Sequence, residues 1–185
     1  MKLFITTIML TIFTLTPVVV AEGVIGSTER LQDIQQRRAI TLSDDQKPAA
    51  IVQCTQGKND IIAIQAASDS SVKKRLAIYE TIQKEVKAIE LRMSKQGADA
   101  SEIDLLIGAL QQNIDEFSEQ ARYSQQLAED IRSIDCATSP DLYRAAADEY
   151  IETRNNLYTT SAELKKIILV APKSTFAPLA DRLKI

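Results

Sequence analysis

Residues 72–96 read VKKRLAIYETIQKEVKAIELRMSKQ. Val72, Leu76, Tyr79, Ile82, Val86, Ile89 and Met93 recur at spacings of three and four, which lines one face of an α-helix with apolar side chains. Gly97 follows, where a helix C-terminus favours a residue that tolerates the left-handed region. The same spacing resumes at Ile103 and continues through Ile107, Leu110, Ile114, Phe117, Ala121, Ser124, Ala128 and Ile131. Leu106, Tyr123, Leu127 and Ile134 widen this second stripe, as suits a middle helix with two neighbours. Ser101-x-x-Asp104 has the spacing of a capping box, with Asp in place of Glu. Residues 97–101 therefore form a short loop between two antiparallel helices.

A third stripe runs through Tyr143, Ala147, Tyr150, Leu157, Ser161, Leu164 and Ile168. Arg154 interrupts it and is expected to lay its stem on the core and its head in solvent. Ser139-Pro140 reads as N-cap followed by the first helical residue, where proline is tolerated. The fold class is thus all-α: a long antiparallel hairpin extended to an up-down-up three-helix bundle with coiled-coil-like packing.

Charge sorts by helix. Residues 72–96 hold seven basic and three acidic residues, a net of +4, whereas 101–135 hold eight acidic and two basic, a net of −6. Opposite fields favour pairing the two helices over self-pairing, more through specificity than strength.

The first 21 residues read as a signal peptide. Lys2 gives a positive start, an apolar stretch follows, and Val19 and Ala21 fit the small-residue rule for cleavage after Ala21. The rival is an uncleaved N-terminal anchor facing outward, because residues 3–20 just reach spanning length. Export, to a periplasm or the exterior, points to a disulfide between Cys54 and Cys136, the plainer alternative being two buried free thiols. Counted from the hinge near Ala98, the two lie 44 and 38 residues away, so both fall at the open end of the hairpin. Gly57 and a few non-helical residues are expected to absorb the mismatch. Residues 22–50 read as a flexible tether with one short amphipathic helix around Leu31 and Ile34. Residues 51–171 form the bundle and 172–185 a tail.

Composition excludes more chemistry than it supplies. The 185 residues contain no histidine, which removes imidazole bases and imidazole metal ligands together. A net charge of −3 without a basic run argues against nucleic acid. S-x-x-K occurs from Ser70 and from Ser71, but S-D-N and K-T-G are missing, so these are serines and surface lysines of a helix. Asp99, Ser101 and Asp104 lack the Gly and Glu of a calcium loop. Adjacent acids such as Asp115-Glu116 point apart on a helix. No catalytic residue, metal ligand or cofactor is assigned. Tyr123, Tyr143, Tyr150 and Tyr158 are the candidates for a partner-binding face, since aromatics concentrate in interface cores.

The expectation is an exported, non-enzymatic helical protein that works by protein–protein interaction, as scaffold, adaptor or chaperone-like binder. Its partner is an unidentified protein or itself, with membrane contact only through an uncleaved signal. The alternatives are a self-associating coiled-coil spacer and a carrier of a lipid or small molecule.

Overall fold

The computed structural model describes residues 26–183, with side chains described as far as Val170. Four helices follow in order: α1 (Ser27–Arg38), α2 (Lys47–Lys95), α3 (Ser101–Ser133) and α4 (Pro140–Leu183). Their pairing can be read from side-chain bonds. Separations between bonded residues of α2 and α3 shrink along α2, from 59 at Gln65–Ser124 to 28 at Gln83–Gln111, so these helices run antiparallel. Between α2 and α4 the separation holds at 86, for Arg154–Ser68 and for Arg75–Ser161, so these two run parallel. The bundle is all-α and up-down-up. A disulfide between Cys54 and Cys136, with Cα atoms 5.6 Å apart, closes its open end.

Helix α2 is unbroken for 49 residues, about 73 Å at the α-helical rise. Residues 58–71 continue it because Ser68 returns its hydroxyl to Gln65 O at 2.9 Å instead of opening a new cap. Gly57 stays helical and therefore does not absorb the mismatch between the cysteines. The extended backbone after α3, beginning at Ile134 with φ −66° and ψ 131°, gains more length per residue than helix does. Gly57 serves the close approach of α4: a Cβ there would lie 1.9 Å from Tyr143 Oη. One residue on, Lys58 Nζ donates to Ile134 O at 2.6 Å, at the end of α3.

The helix ends follow the sequence in part. Gly97 has φ +69°, as its place after α2 requires. Pro140 opens α4, and the Ser139 carbonyl accepts the Tyr143 N–H. The expected capping box is not formed. Ala100 is the N-cap of α3, without a side-chain cap bond, and Ser101 is already helical. Asp99 Oδ1 accepts from Ser101 N at 3.0 Å and from Ser101 Oγ, so the carboxylate two residues earlier takes over the local bonding and Asp104 has no cap to complete.

The core has two apolar clusters. One, toward the hinge, centres on Tyr79, Val86, Ile103, Leu110, Phe117 and Leu164. The other, toward the disulfide, centres on Ile34, Leu127, Ile131, Ala145, Ala146 and Tyr150. A polar layer separates them. Gln65 Oε1 accepts from Ser124 Oγ at 2.9 Å and Tyr150 Oη at 3.1 Å, and Gln65 Nε2 donates to Asp69 at 2.6 Å. Replacing Gln65 by Leu removes the shared acceptor of two buried hydroxyls and is expected to cost about 1–3 kcal/mol in urea unfolding. Adding Ser124→Ala should recover part of that loss if the pair is coupled, whereas strictly additive losses would show that it is not.

Two boundaries differ from the sequence reading. The segment read as a flexible tether holds its short helix, and that helix is docked: Ile34 is 0% exposed and Leu31 buried against α3 and α4. The chain read as a tail from residue 172 is helical to Leu183, continuing α4.

Arginines secure α1. Arg30 makes a two-pronged contact with Asp130 of α3, Nε to Oδ2 at 2.5 Å and Nη2 to Oδ1 at 2.9 Å. Arg37 and Arg38 both reach Glu149 of α4, at 3.3 and 2.8 Å, and Arg38 also reaches Glu152 at 2.5 Å. By contrast, no ion pair within 4 Å joins α2 to α3 among the described residues, so their opposite charge acts as a diffuse field.

Burial would raise the Glu149 carboxyl, but hydrogen bonds from Arg38 and Arg37 outweigh it and hold it below the usual range. A carboxylate depressed in the folded state adds stability above its unfolded pKa of about 4.3, and that stability is lost as pH falls through the lower folded value. Acid should therefore loosen α1. Methyl NMR signals of Leu31 and Ile34 should move toward random-coil positions below about pH 4, and less so in Glu149→Gln. Signals unchanged to about pH 2 would refute this.

Candidate functional site: a groove between helices α2 and α4

Where the polar layer crosses the bundle, α2 presents the small side chains Ala67, Ser68 and Ser71 toward α4. Helices α2 and α4 part there and leave a cleft of about 330 Å³. Val72, Phe117 and Leu157 line it from the core, and Ile64 and Tyr158 stand at its rims, each about half exposed. Phe117 is held by an edge-to-face contact with Tyr79, ring centroids 5.6 Å apart at 87°.

Two arginines flank the cleft in a reciprocal arrangement. Arg154 of α4 reaches back to Ser68 Oγ of α2 at 3.1 Å, and Arg75 of α2 reaches Ser161 Oγ of α4 at 2.9 Å. The two contacts lie seven residues apart on each helix, about 10.5 Å along the axis. Tyr79 Oη lies 3.0 Å from Ser161 Oγ and completes the second cluster. Arg154 is partly exposed, and its head is held at the groove instead of extending freely into solvent. Its guanidinium sits 5.7 Å from the Tyr150 ring centroid and 5.5 Å from that of Tyr158, and it donates to Tyr158 Oη at 2.9 Å. Hydroxyls and ring faces satisfy a cation without neutralising it. Neither Arg75 nor Arg154 has a carboxylate within 4 Å among the described residues.

The four candidate tyrosines do not share one face. Tyr150 is 2% exposed, so its ring belongs to the core, and burial raises its phenol pKa, partly offset by Arg154. Tyr123 is half-buried and donates to Glu149 at 3.2 Å, under α1. Tyr143 packs over Gly57. Only Tyr158 of the four borders the groove. What tyrosine counting missed were Arg75 and Ser161: heptad spacing puts Ser68 and Arg75 on one face of α2, and Arg154 and Ser161 on one face of α4, but it does not tell that the two faces meet.

Among the described residues no group of three or more Asp, Glu, His or Cys gathers as a metal site, and no helix is long and apolar enough to cross a membrane. Every buried side-chain nitrogen and oxygen among them has a hydrogen-bond partner. The groove therefore offers charge and apolar surface, with no orphaned polar atom awaiting a ligand. The disulfide is consistent with an oxidising compartment, while the signal read over residues 1–21 lies outside the described residues. Compared with known proteins, the chain matches no protein-family model, no curated protein and no solved structure.

Proposed function

We propose that this is an exported, non-enzymatic helical protein that acts by protein–protein interaction, with the α2/α4 groove as its contact surface. The carrying observation is the pair of exposed apolar rows beside that groove. Ile64 and Ile78 on α2, and Ile151 and Tyr158 on α4, are all about half exposed. Each pair is spaced by a multiple of seven residues, so each keeps to one side of its helix. Between them Val72, Phe117 and Leu157 give the cleft an apolar floor, and apolar surface rimmed by polar groups marks interaction sites. Export is supported by the cysteine pair together with the signal-like pattern of residues 1–21.

The exposed rims weigh against a carrier. Ligand pockets bury about 70–90% of a small ligand, whereas Ile64 and Tyr158 leave this cleft open along its length. The test is photo-crosslinking in the native envelope, with the crosslinking side chain placed at Tyr158 and, as a control, at the exposed Glu129 of α3. A protein adduct from position 158 alone is expected. No adduct, or equal adducts from both positions, would refute the proposal.

A further inference from the structure

We propose that the groove takes an acidic amphipathic helix of a partner protein, with its carboxylates on Arg75 and Arg154 and its apolar face between the two rows. This inference rests on the binder reading and adds the chemistry of the partner.

Charge complementarity carries it first. Helical periodicity places Ile64, Ala67, Ser71, Arg75 and Ile78 on the groove side of α2, and Ile151, Arg154, Tyr158, Lys165 and Leu169 on that of α4. No Asp or Glu stands among them. The acids of the same segments lie elsewhere: Asp69 bonds to Gln65, Glu152 pairs with Arg38 and Glu163 with Lys166. The groove is thus cationic on a protein whose net charge is −3. Its two guanidiniums have hydroxyl partners in place of carboxylates, so an incoming carboxylate has no internal ion pair to displace.

Shape decides between a helix and a compact anion. The row on α2 spans about 21 Å from Ile64 to Ile78, and that on α4 about 27 Å from Ile151 to Leu169, at the helical rise. A small anionic amphiphile would cover the cleft and leave Ile78, Ile151 and Leu169 in water. A rod laid between two parallel helices covers all of them and converts the three-helix arrangement into a four-helix one. The arginines stand on opposite walls two turns apart, so the complementary rod carries acids about two turns apart on its flanks. A second copy offering its acidic α3 does not fit, because the outer face of α3 exposes only Leu105 among its large apolar residues.

The probe is a stapled, monomeric amphipathic helix of about 21 residues, with Leu on one face and Glu on both flanks. Its twin carries Lys for every Glu. Fluorescence anisotropy with the full mature chain should show binding of the Glu helix only, weakening as salt is raised. Arg75→Glu, an exposed substitution, and Arg154→Gln should each weaken it about tenfold or more. Arg75→Glu combined with Arg154→Glu should reverse the preference toward the Lys twin, while Lys87→Glu on the outer face of α2 should change nothing. Circular dichroism melts establish that each variant is folded, and the Arg75→Glu result stands alone if Arg154 variants unfold.

No binding of the Glu helix at about 1 mM overturns the proposal, as does equal affinity for the twin or indifference to Arg75→Glu. Binding of dodecanoate without the Glu helix overturns it in favour of a small anionic amphiphile. If position 158 still crosslinks to a protein while the Glu helix fails, the binder reading survives and the acidic partner does not.

Discussion

Replacing Cys54 and Cys136 by Ser lowers the stability of the bundle by about 4–5 kcal/mol, the chain-entropy value for so long a loop. The bridge closes 82 positions, and for a domain of this size the loss corresponds to a melting temperature lower by about 10–15 °C. The damage should be uneven. Before Gln65, α2 is held to the rest by the bridge, by Ala50 and Ile61, by Gly57 beneath Tyr143 and by the Lys58 bond to Ile134 O. Amide exchange should rise more at Ile61 and Ile62 than at Ile107 and Ile114, which lie in the hinge-side core. Reductant added to the native protein should reproduce the loss. Free thiols at both positions in protein taken from its own compartment, or a change below about 1 kcal/mol, would sink this account.

The second large effect is expected at Asp130. Its side chain is 3% exposed and holds Arg30, itself 13% exposed, in two hydrogen bonds. Removing one partner of a buried pair costs about 3–5 kcal/mol, because the remaining charge has lost its water as well as its partner. In Asp130→Ala, Arg30 can escape by undocking α1, which forfeits the burial of Leu31 and Ile34 at about 1.5–3 kcal/mol each. The loss should therefore appear as release of α1, read by amide exchange over its twelve residues, with α3 and α4 still protected. Arg30→Met together with Asp130→Ala should restore much of the docking, since apolar replacement of a buried pair is often neutral or better. Protection of α1 unchanged in Asp130→Ala would show that the pair contributes little.

The fold was largely legible because its punctuation is local. Gly97 and Pro140 mark two turns, the apolar spacing marks three stripes, and the count from the hinge brings Cys54 to Cys136. What escaped depends on residues far apart in the chain. The run from Ser68 to Ser71 suits a new cap and a continuous helix equally by sequence; the bonds of Ser68 within the helix and to Arg154, 86 residues on, go with the continuous one. The adjacent acids Glu129-Asp130 and Asp148-Glu149 read as a solvated face, yet Asp130 and Glu149 are buried against arginines of α1, partners that lie about 100 residues away in the chain. The groove was hidden for the same reason. Arg75 looked like any surface cation of a basic helix, and only the parallel register with α4 sets it opposite Ser161.

The bridge makes residues 54–136 a closed covalent ring, and α1 and all of α4 lie outside it. Under tension applied at the two ends of the chain, the load passes across the sulfur–sulfur bond and never enters the hairpin. About 280 Å of extended chain is thereby withheld from stretching until the bond is reduced. A pull would strip α4 and α1 away and leave the α2/α3 hairpin beyond the bridge without load. With α4 gone the groove has only one wall. Mechanical load would thus open the contact surface long before the covalent ring gave way.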